Sequence, residues 1–296
     1  MKKSFGQNLL IDEKYLHKII EVTDLKPDDI VLEIGSGSGL LTVLLAKRVK
    51  KFFAVEPERN VLKSLKYNIH QNKLTNVEIV DKSFLKINLC ELLNKPFKVV
   101  GNIPYNLTSK ILLKLCGDWD SPASHLNNLS DVFLMLQLQV AERLVAKPGT
   151  KAYSPLTLLI QYFTEPEILF KVPSTAFSPT PKVESAFVHL KVKSKLQYLE
   201  NPALLKKVIR SAFQQRRKKL VNALEKLFGD KKVVKEKFNE LKLDYKTIRH
   251  HLEVLEKNNI IIAVNKGNYG AVYFLSELMN DNIKVFGEIW EQFGKK

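Results

Sequence analysis

The feature that most constrains the fold is an alternation. Between residues 28 and 137, short apolar runs ("DDIVLEI", "KFFAV", "NVEIV", "FKVV" and "DVFLMLQ") alternate with stretches whose apolar residues recur every three to four positions. The first pattern belongs to strands and the second to amphipathic helices. Strands that read as nearly continuous apolar segments are buried on both faces, and the helices between them supply the cover. The expected fold class is therefore α/β, with a doubly wound parallel sheet whose ligands gather at the carboxyl ends of the strands. Later, "EILFKV" and "ESAFVHLKV" bracket the proline-marked "PSTAFSPTPK", which suggests an antiparallel pair closing the sheet around a loop.

Beyond Asn201 the texture changes twice. "NPALLKKVIRSAFQQRRKKLVNALEKLFGD" and "KKVVKEKFNELKL" read as helices without strands, so a boundary is expected near 194–201. From Asp244, "DYKTIRHHLEVLEKNN" reads as a helix and "IIIAVNKGNYGAVYFLS" as two strands around a Gly/Asn turn. The expected domains are a sheet domain over 1–195, a small helical domain over 196–243 and a tail over 244–296.

A hydrophobic content of 45% in 296 residues is ample for a packed core. The longest apolar runs, such as "NNIIIAV" and "VFLMLQLQV", fall well short of the roughly 20 residues needed to cross a bilayer. The N-terminus also lacks an apolar signal region, so a cytoplasmic protein without a membrane partner is expected. Cys90 and Cys116 show no metal-ligand spacing; they read as ordinary buried thiols, and no metal site is expected. The net charge of +16 favours a polyanionic partner, and all but one of those charges falls within residues 1–244. A lysine-rich composition with solvated surface charges would give the same total, so charge alone does not decide.

"LEIGSGSG" ends the first of these strands with Glu33, Gly35, Gly37 and Gly39. Glycines here let the backbone approach a ligand and turn tightly into a helix whose first amides face that ligand. The spacing lacks the third glycine of a dinucleotide fingerprint. Glu56, at the end of the next strand, can accept both hydroxyls of a ribose, or can cap the helix that follows. Together the pattern reads as a nucleoside pocket without a pyrophosphate, which S-adenosylmethionine (AdoMet) fits better than NAD.

"KVVGNIPYNLTSKILLK" runs from a fourth strand into Asn102, Ile103, Pro104 and Tyr105. An exocyclic adenine amine is conjugated with its ring, so a methylating site must draw its hydrogens out of plane and aim the nitrogen. The Asn102 side-chain oxygen and the main-chain carbonyl of Ile103 or Pro104 can accept the two N–H bonds. Pro104 fixes the turn, and Tyr105 offers a face for the base. On the four residues alone, a strand-end turn with a buried tyrosine is an equal alternative; position at the carboxyl end of the sheet favours the site.

"KKSFGQNLLID", "LEIGSGSGLLT", "VVGNIPYNLTSKIL", "QVAERLVAKPGTKAYSPL", "FSPTPKVESA" and "FQQRRKKLVNAL" occur in this order over about residues 1–243. Together they resemble the ribosomal RNA adenine N6,N6-dimethyltransferase family that modifies adjacent adenosines near the 3′ end of small-subunit rRNA. The resemblance implies a Rossmann-like, AdoMet-dependent methyltransferase domain over 1–195 and a helical RNA-binding domain over 196–243. It implies that Asn8, Leu10, Gly35, Gly37, Glu56, Ser83 and Asn102 hold AdoMet. It further implies that Phe177 stacks on the target adenine and joins Asn102, Pro104 and Tyr105 in the catalytic set. Two departures stand out. "DKSFLK" places Ser83 where the family commonly has an acidic residue, with Asp81 two positions earlier, and "LQLQVAERL" has Leu138 and Gln139 in place of charges.

Lys2, Lys3, Lys147, Lys151, Lys182 and the cluster Arg216, Arg217, Lys218 and Lys219 then become candidates for rRNA phosphate contacts. For each single lysine a solvated surface charge is the stronger alternative; only the cluster stands above it. The tail resembles the second half of a winged helix-turn-helix of the arsenical-resistance-repressor type. That resemblance puts Lys246, Thr247, Arg249, His250 and His251 on a recognition helix and Asn265–Gly270 at a wing tip, with DNA as a conceivable partner. The expected function is AdoMet-dependent dimethylation of small-subunit rRNA during ribosome assembly. The alternatives are a large-subunit enzyme of the macrolide-resistance type and a DNA-binding regulator on a methyltransferase scaffold. The sequence leaves the oligomeric state open, with a monomer as the starting expectation.

Overall fold

The computed structural model describes residues 8–196, 199–214, 220–240, 261–264 and 272–275. The chain opens with a two-residue strand, β1 (Leu9–Leu10), and helix α1 (Glu13–Thr23). Asp12 caps α1 by accepting from Lys14 N at 2.9 Å, and Leu16, Ile19, Ile20 and Thr23 form its buried stripe. The alternation then follows: β2 (Ile30–Ile34), α2 (Leu40–Ala46), β3 (Lys51–Val55), α3 (Arg59–Gln71), β4 (Val77–Val80), the single-turn α4 (Leu89–Leu92), β5 (Phe97–Asn102) and α5 (Thr108–Cys116). A short hairpin, β6 (Gly117–Asp118) and β7 (Ser121–Pro122), leads to β8 (Leu129–Gln137), α6 (Leu138–Leu144) and α7 (Pro155–Phe163). Next come β9 (Thr164–Val172), β10 (Phe177–Ser178) and β11 (Ser185–Val192).

These strands build a seven-stranded sheet in the order β4-β3-β2-β5-β8-β11-β9. The first five are parallel to their neighbours, while β11 runs antiparallel to both β8 and β9. The expected parallel sheet and the expected antiparallel pair are both present. The order reverses at β2, which is flanked by β3 and β5, and the crevice at such a switch point is where open α/β sheets bind ligands. The central strands are buried as their apolar runs require: Val31, Leu32, Phe52, Val99, Val100 and Leu134 have essentially no exposed surface. β1 does not join this sheet; it pairs antiparallel with β10, Leu9 opposite Ser178 and Leu10 opposite Phe177.

Of the two cysteines expected to be buried, Cys116 is buried and Cys90 is exposed. α4 turns only Leu89 inward, so its next residue faces out, with the Cys90 sulfur 3.1 Å from Ser124 Oγ. No helix among the described residues is long and apolar enough to cross a membrane.

The rest of the chain supplies α8 (Pro202–Gln214), α9 (Leu220–Phe228), α10 (Lys231–Glu240) and the strands β12 (Ile261–Val264) and β13 (Val272–Leu275). β12 and β13 pair antiparallel, as the two apolar runs of the tail suggest. The chain divides into two compact units, one of 1–146 with 152–206 and one of 147–151 with 207–296. The division thus falls inside α8, just beyond the 194–201 stretch marked by the change in texture. The proposed recognition-helix residues Lys246–His251 and the wing tip 265–270 lie outside the described residues, as do Lys2, Lys3 and the Arg216, Arg217, Lys218 and Lys219 cluster.

Candidate active site

The glycine turn between β2 and α2 is built from positive-φ backbone, with Gly35, Gly37 and Gly39 at +77°, +54° and +91°. Gly35 N and Ser36 N both donate to Val55 O, at 2.9 and 3.2 Å, which pins the turn to the end of β3. At Gly37 the left-handed φ disfavours a side chain, and a Cβ would press on Leu9 Cδ2 at 2.8 Å, the movable end of a side chain. Leu9 therefore comes from the N-terminal segment to sit against the glycine backbone.

Glu56 stands at the carboxyl end of β3, as expected, but fully buried. Its Oε2 accepts from Gly37 N at 2.8 Å and its Oε1 from Glu58 N at 2.9 Å. Of the two roles considered for it, these bonds show the helix-capping one: one oxygen steadies the start of α3, and the other holds the glycine turn. Ser83 precedes the 3₁₀ turn Phe84–Lys86 at the end of β4, half-buried, and makes no side-chain cap. That turn is held from α5 by Lys114, whose ammonium donates to Leu85 O at 3.0 Å and to Ile87 O at 2.5 Å.

Beside the turn lies a small cavity of about 30 Å³ lined by Leu9, Leu10, Glu33, Gly35, Ser36 and Asn102, among others. Glu33 and Ser36 carry the chemistry of its wall. Burial pushes the Glu33 carboxyl up to about 7, a rise that the hydrogen bond from Thr42 Oγ1 to Glu33 Oε2 only partly offsets. Ser36 Oγ is buried beside this carboxyl and acts to lower its pKa. A left-handed glycine turn that brings bare backbone to the strand end, a buried hydroxyl beside it and a strand-end carboxylate bonded to the turn fit a nucleoside ligand. The residues present therefore fit AdoMet.

Asn102 ends β5 and its side-chain amide is oriented by geometry alone. Asn102 Nδ2 lies 2.7 Å from the main-chain oxygen of Asn8. A carbonyl only accepts, so the atom facing it is the NH₂ group, and Oδ1 is the acceptor turned away from Asn8. Gly35 enforces the approach from the other side: a Cβ there would lie 3.3 Å from Asn102 O. Pro104, with φ −60°, starts the 3₁₀ turn Tyr105–Leu107, and its carbonyl accepts from Leu107 N at 3.0 Å. Of the two carbonyls named as alternatives for the second amine hydrogen, Pro104 O thus has one lone pair already engaged. Tyr105 is half-buried, and its hydroxyl lies 2.5 Å from Ser185 Oγ. Burial raises its phenol pKa, with the Ser185 bond acting in the opposite sense.

Phe177 does not present a ring face to open space. It is 2% exposed and part of the core cluster with Leu10, Phe170 and Phe187. Leu10 is likewise buried, opposite Phe177 in the β1–β10 pair. The structure therefore gathers Asn8, Gly35, Asn102, Pro104 and Tyr105 around one strand end. Lys147, Lys151 and Lys182 are exposed side chains. Two participants escaped the sequence reading, Ser185 and Leu9. Both lie inside motifs quoted above, but nothing in their spacing says what they touch.

The profile of the ribosomal RNA adenine dimethylase family matches residues 1–266. The chain belongs to this family. A ribosomal RNA small subunit methyltransferase A from Alkaliphilus metalliredigens is 38% identical over 250 residues, covering 82% of this chain and 84% of that one. One of the same name from a Picosynechococcus species is 39% identical over 234 residues, covering 77% and 84%. Among solved structures, a dimethyladenosine transferase from Plasmodium falciparum matches with a TM-score of 0.63 and 27% identity over 97% of this chain and 98% of that one. The 23S rRNA methyltransferase ErmE matches with a TM-score of 0.61 and 28% identity over 74% and 84%. As a member, the protein is an AdoMet-dependent adenine methyltransferase with the Rossmann-like fold of these enzymes.

Proposed function

We propose that the protein dimethylates N6 of adjacent adenosines near the 3′ end of small-subunit rRNA on an assembling subunit. The observation that carries the chemistry is the Asn102 amide, locked by Asn8 so that Oδ1 is an acceptor at the end of β5. An acceptor fixed before the substrate arrives draws one amine hydrogen out of the ring plane without reorganising at the moment of reaction. The main-chain carbonyl of Ile103, or the second lone pair of Pro104 O, takes the other hydrogen. Tyr105 supplies a stacking face for a base that has left its helix. AdoMet, when bound, supplies an electrophilic methyl group. In this proposal it is held by the Gly35–Gly37 backbone, Glu56, Ser83, Asn8, Leu10 and Asn102. Phe177 belongs to the catalytic set only as the resemblance implies it, since its ring is buried in the core cluster that also holds Leu10.

The choice of the small subunit rests on the names carried by the relatives at 36–39% identity. Residues 1–195 act as the catalytic domain in this proposal, with 196–243 and the Arg216, Arg217, Lys218 and Lys219 cluster holding rRNA phosphates. The tail, 244–296, is proposed as a winged-helix-like nucleic-acid-binding segment; the antiparallel β12–β13 pair is the support for it. The test is to incubate the purified protein and AdoMet with unmethylated small subunits, large subunits and promoter-type duplex DNA, then quantify methylated nucleosides by mass spectrometry. Dimethyladenosine confined to the small subunit is the expected result. Dimethyladenosine in the large subunit alone would replace the substrate, and tight DNA binding without methylation of either subunit would refute an enzymatic role.

A further inference from the structure

We propose that Ser185 is a positioning residue: its buried hydroxyl anchors the tip of the Tyr105 ring, so that the ring stands where its face can meet the target adenine. The inference rests on the proposed role of Tyr105 as a stacking platform. Ser185 is the first residue of β11 and has no exposed surface. It is paired with Gln137 of β8 on one side and Val172 of β9 on the other, so its backbone is fixed by two neighbouring strands. The residue before it is anchored as well, since Glu184 O accepts from Leu138 N at 2.9 Å. From this rigid point the Ser185 hydroxyl reaches the Tyr105 phenol at 2.5 Å, across 80 positions of sequence.

The backbone at Tyr105 is already set by the turn that Pro104 starts and by Thr108 Oγ1, which donates to Tyr105 O at 3.0 Å. What remains free is rotation of the side chain about its two torsions. One hydrogen bond at the far end of the ring fixes the first torsion, because the phenol oxygen has to stay on one spot; that oxygen lies on the axis of the second torsion, which is left to the packing around the half-buried ring. The tether also has a chemical consequence. With its hydroxyl engaged by Ser185, Tyr105 offers its ring face rather than a polar edge, so it stacks without selecting a base. Selection of an amine-bearing base then falls on Asn102 and the adjacent main-chain carbonyl. The turn is thereby held at both ends, by Asn8 at its first residue and by Ser185 at its last.

The experiment compares wild type, Ser185→Ala, Tyr105→Phe and the double variant in AdoMet-dependent formation of dimethyladenosine on small subunits, with AdoMet affinity and thermal stability measured alongside. Each single variant is expected to lower kcat about tenfold, the effect of losing one orienting hydrogen bond of about 1.4 kcal/mol. AdoMet affinity should stay within twofold, and the double variant should be no worse than the poorer single one. Tyr105→Phe keeps the ring and its packing, so it decides the matter even if Ser185→Ala folds poorly. Wild-type kcat in Tyr105→Phe, or a double variant whose loss is the product of the two single losses, would overturn the tether. A wild type active only on large-subunit RNA would overturn the substrate reading, and the four proteins are then compared on that RNA with the same criteria. A wild type inactive on both would overturn both.

Discussion

The two halves of the site are constructed differently. The glycine-turn part of the half assigned to AdoMet is local: the turn and Glu56 are joined by a hydrogen bond across 19 positions, within one strand-helix-strand unit. The half assigned to the adenine is assembled from afar, with Asn102 oriented by a residue 94 positions away and Tyr105 by one 80 positions away. Backbone geometry does most of the work in the first and borrowed side-chain contacts do it in the second. Substitutions near the glycine turn should therefore act on the backbone and on stability, whereas those around Asn102 and Tyr105 should act on the chemical step.

The largest stability effect is expected at Glu33, in the wall of the first half. Its carboxyl titrates near 7 in the folded protein against an ordinary 4.5, so the folded state favours the protonated form. Below pH 4.5 both states are protonated and Glu33 costs nothing. As pH rises from 4.5 to about 7 the unfolded chain releases its proton first, and stability is lost until the folded carboxyl also ionises. The integrated loss is about 3 kcal/mol. Denaturant unfolding of wild type and Glu33→Gln across this range should show curves that diverge towards neutral pH, with the variant the more stable above pH 7. Parallel curves would mean that Glu33 is not the buried ionisable group described.

A smaller loss is expected at the seam between the halves. A Cβ at Gly101 would lie 2.7 Å from Ile34 O, a backbone atom of the neighbouring strand that cannot step aside. Gly101→Ala should destabilise the protein by about 1–3 kcal/mol. It should also weaken AdoMet binding and kcat together, because β2 carries the glycine turn and β5 carries Asn102. An effect on one without the other would show that the halves are less coupled than the shared strand pair implies.

The same contrast explains what was legible in the sequence. Strand periodicity fixed the sheet, and the glycines and Glu56 could be assigned because their partners fall within one repeat of the alternation. β11 and β9 were also legible as a pair, since they flank one proline-marked loop. What could not be seen was the conjunction of distant segments: that Asn8 would orient Asn102, that Ser185 would meet the Tyr105 hydroxyl, or that Leu10 would pair with Phe177. A residue spacing carries no record of which loops meet. Cys90 shows a smaller version of the same limit, because a single helical turn has too few residues to reveal its buried face.

The most direct test of the central claim is the yield of dimethyladenosine in unmethylated small subunits from wild type and Asn102→Ala, at AdoMet concentrations shown by calorimetry to saturate each protein. The account predicts abundant dimethyladenosine with wild type and a loss of about 10²–10³-fold in rate for the variant, with cofactor still bound. Equal yields from the two proteins at saturation would contradict it, because the oriented Asn102 oxygen would then have no part in the transfer.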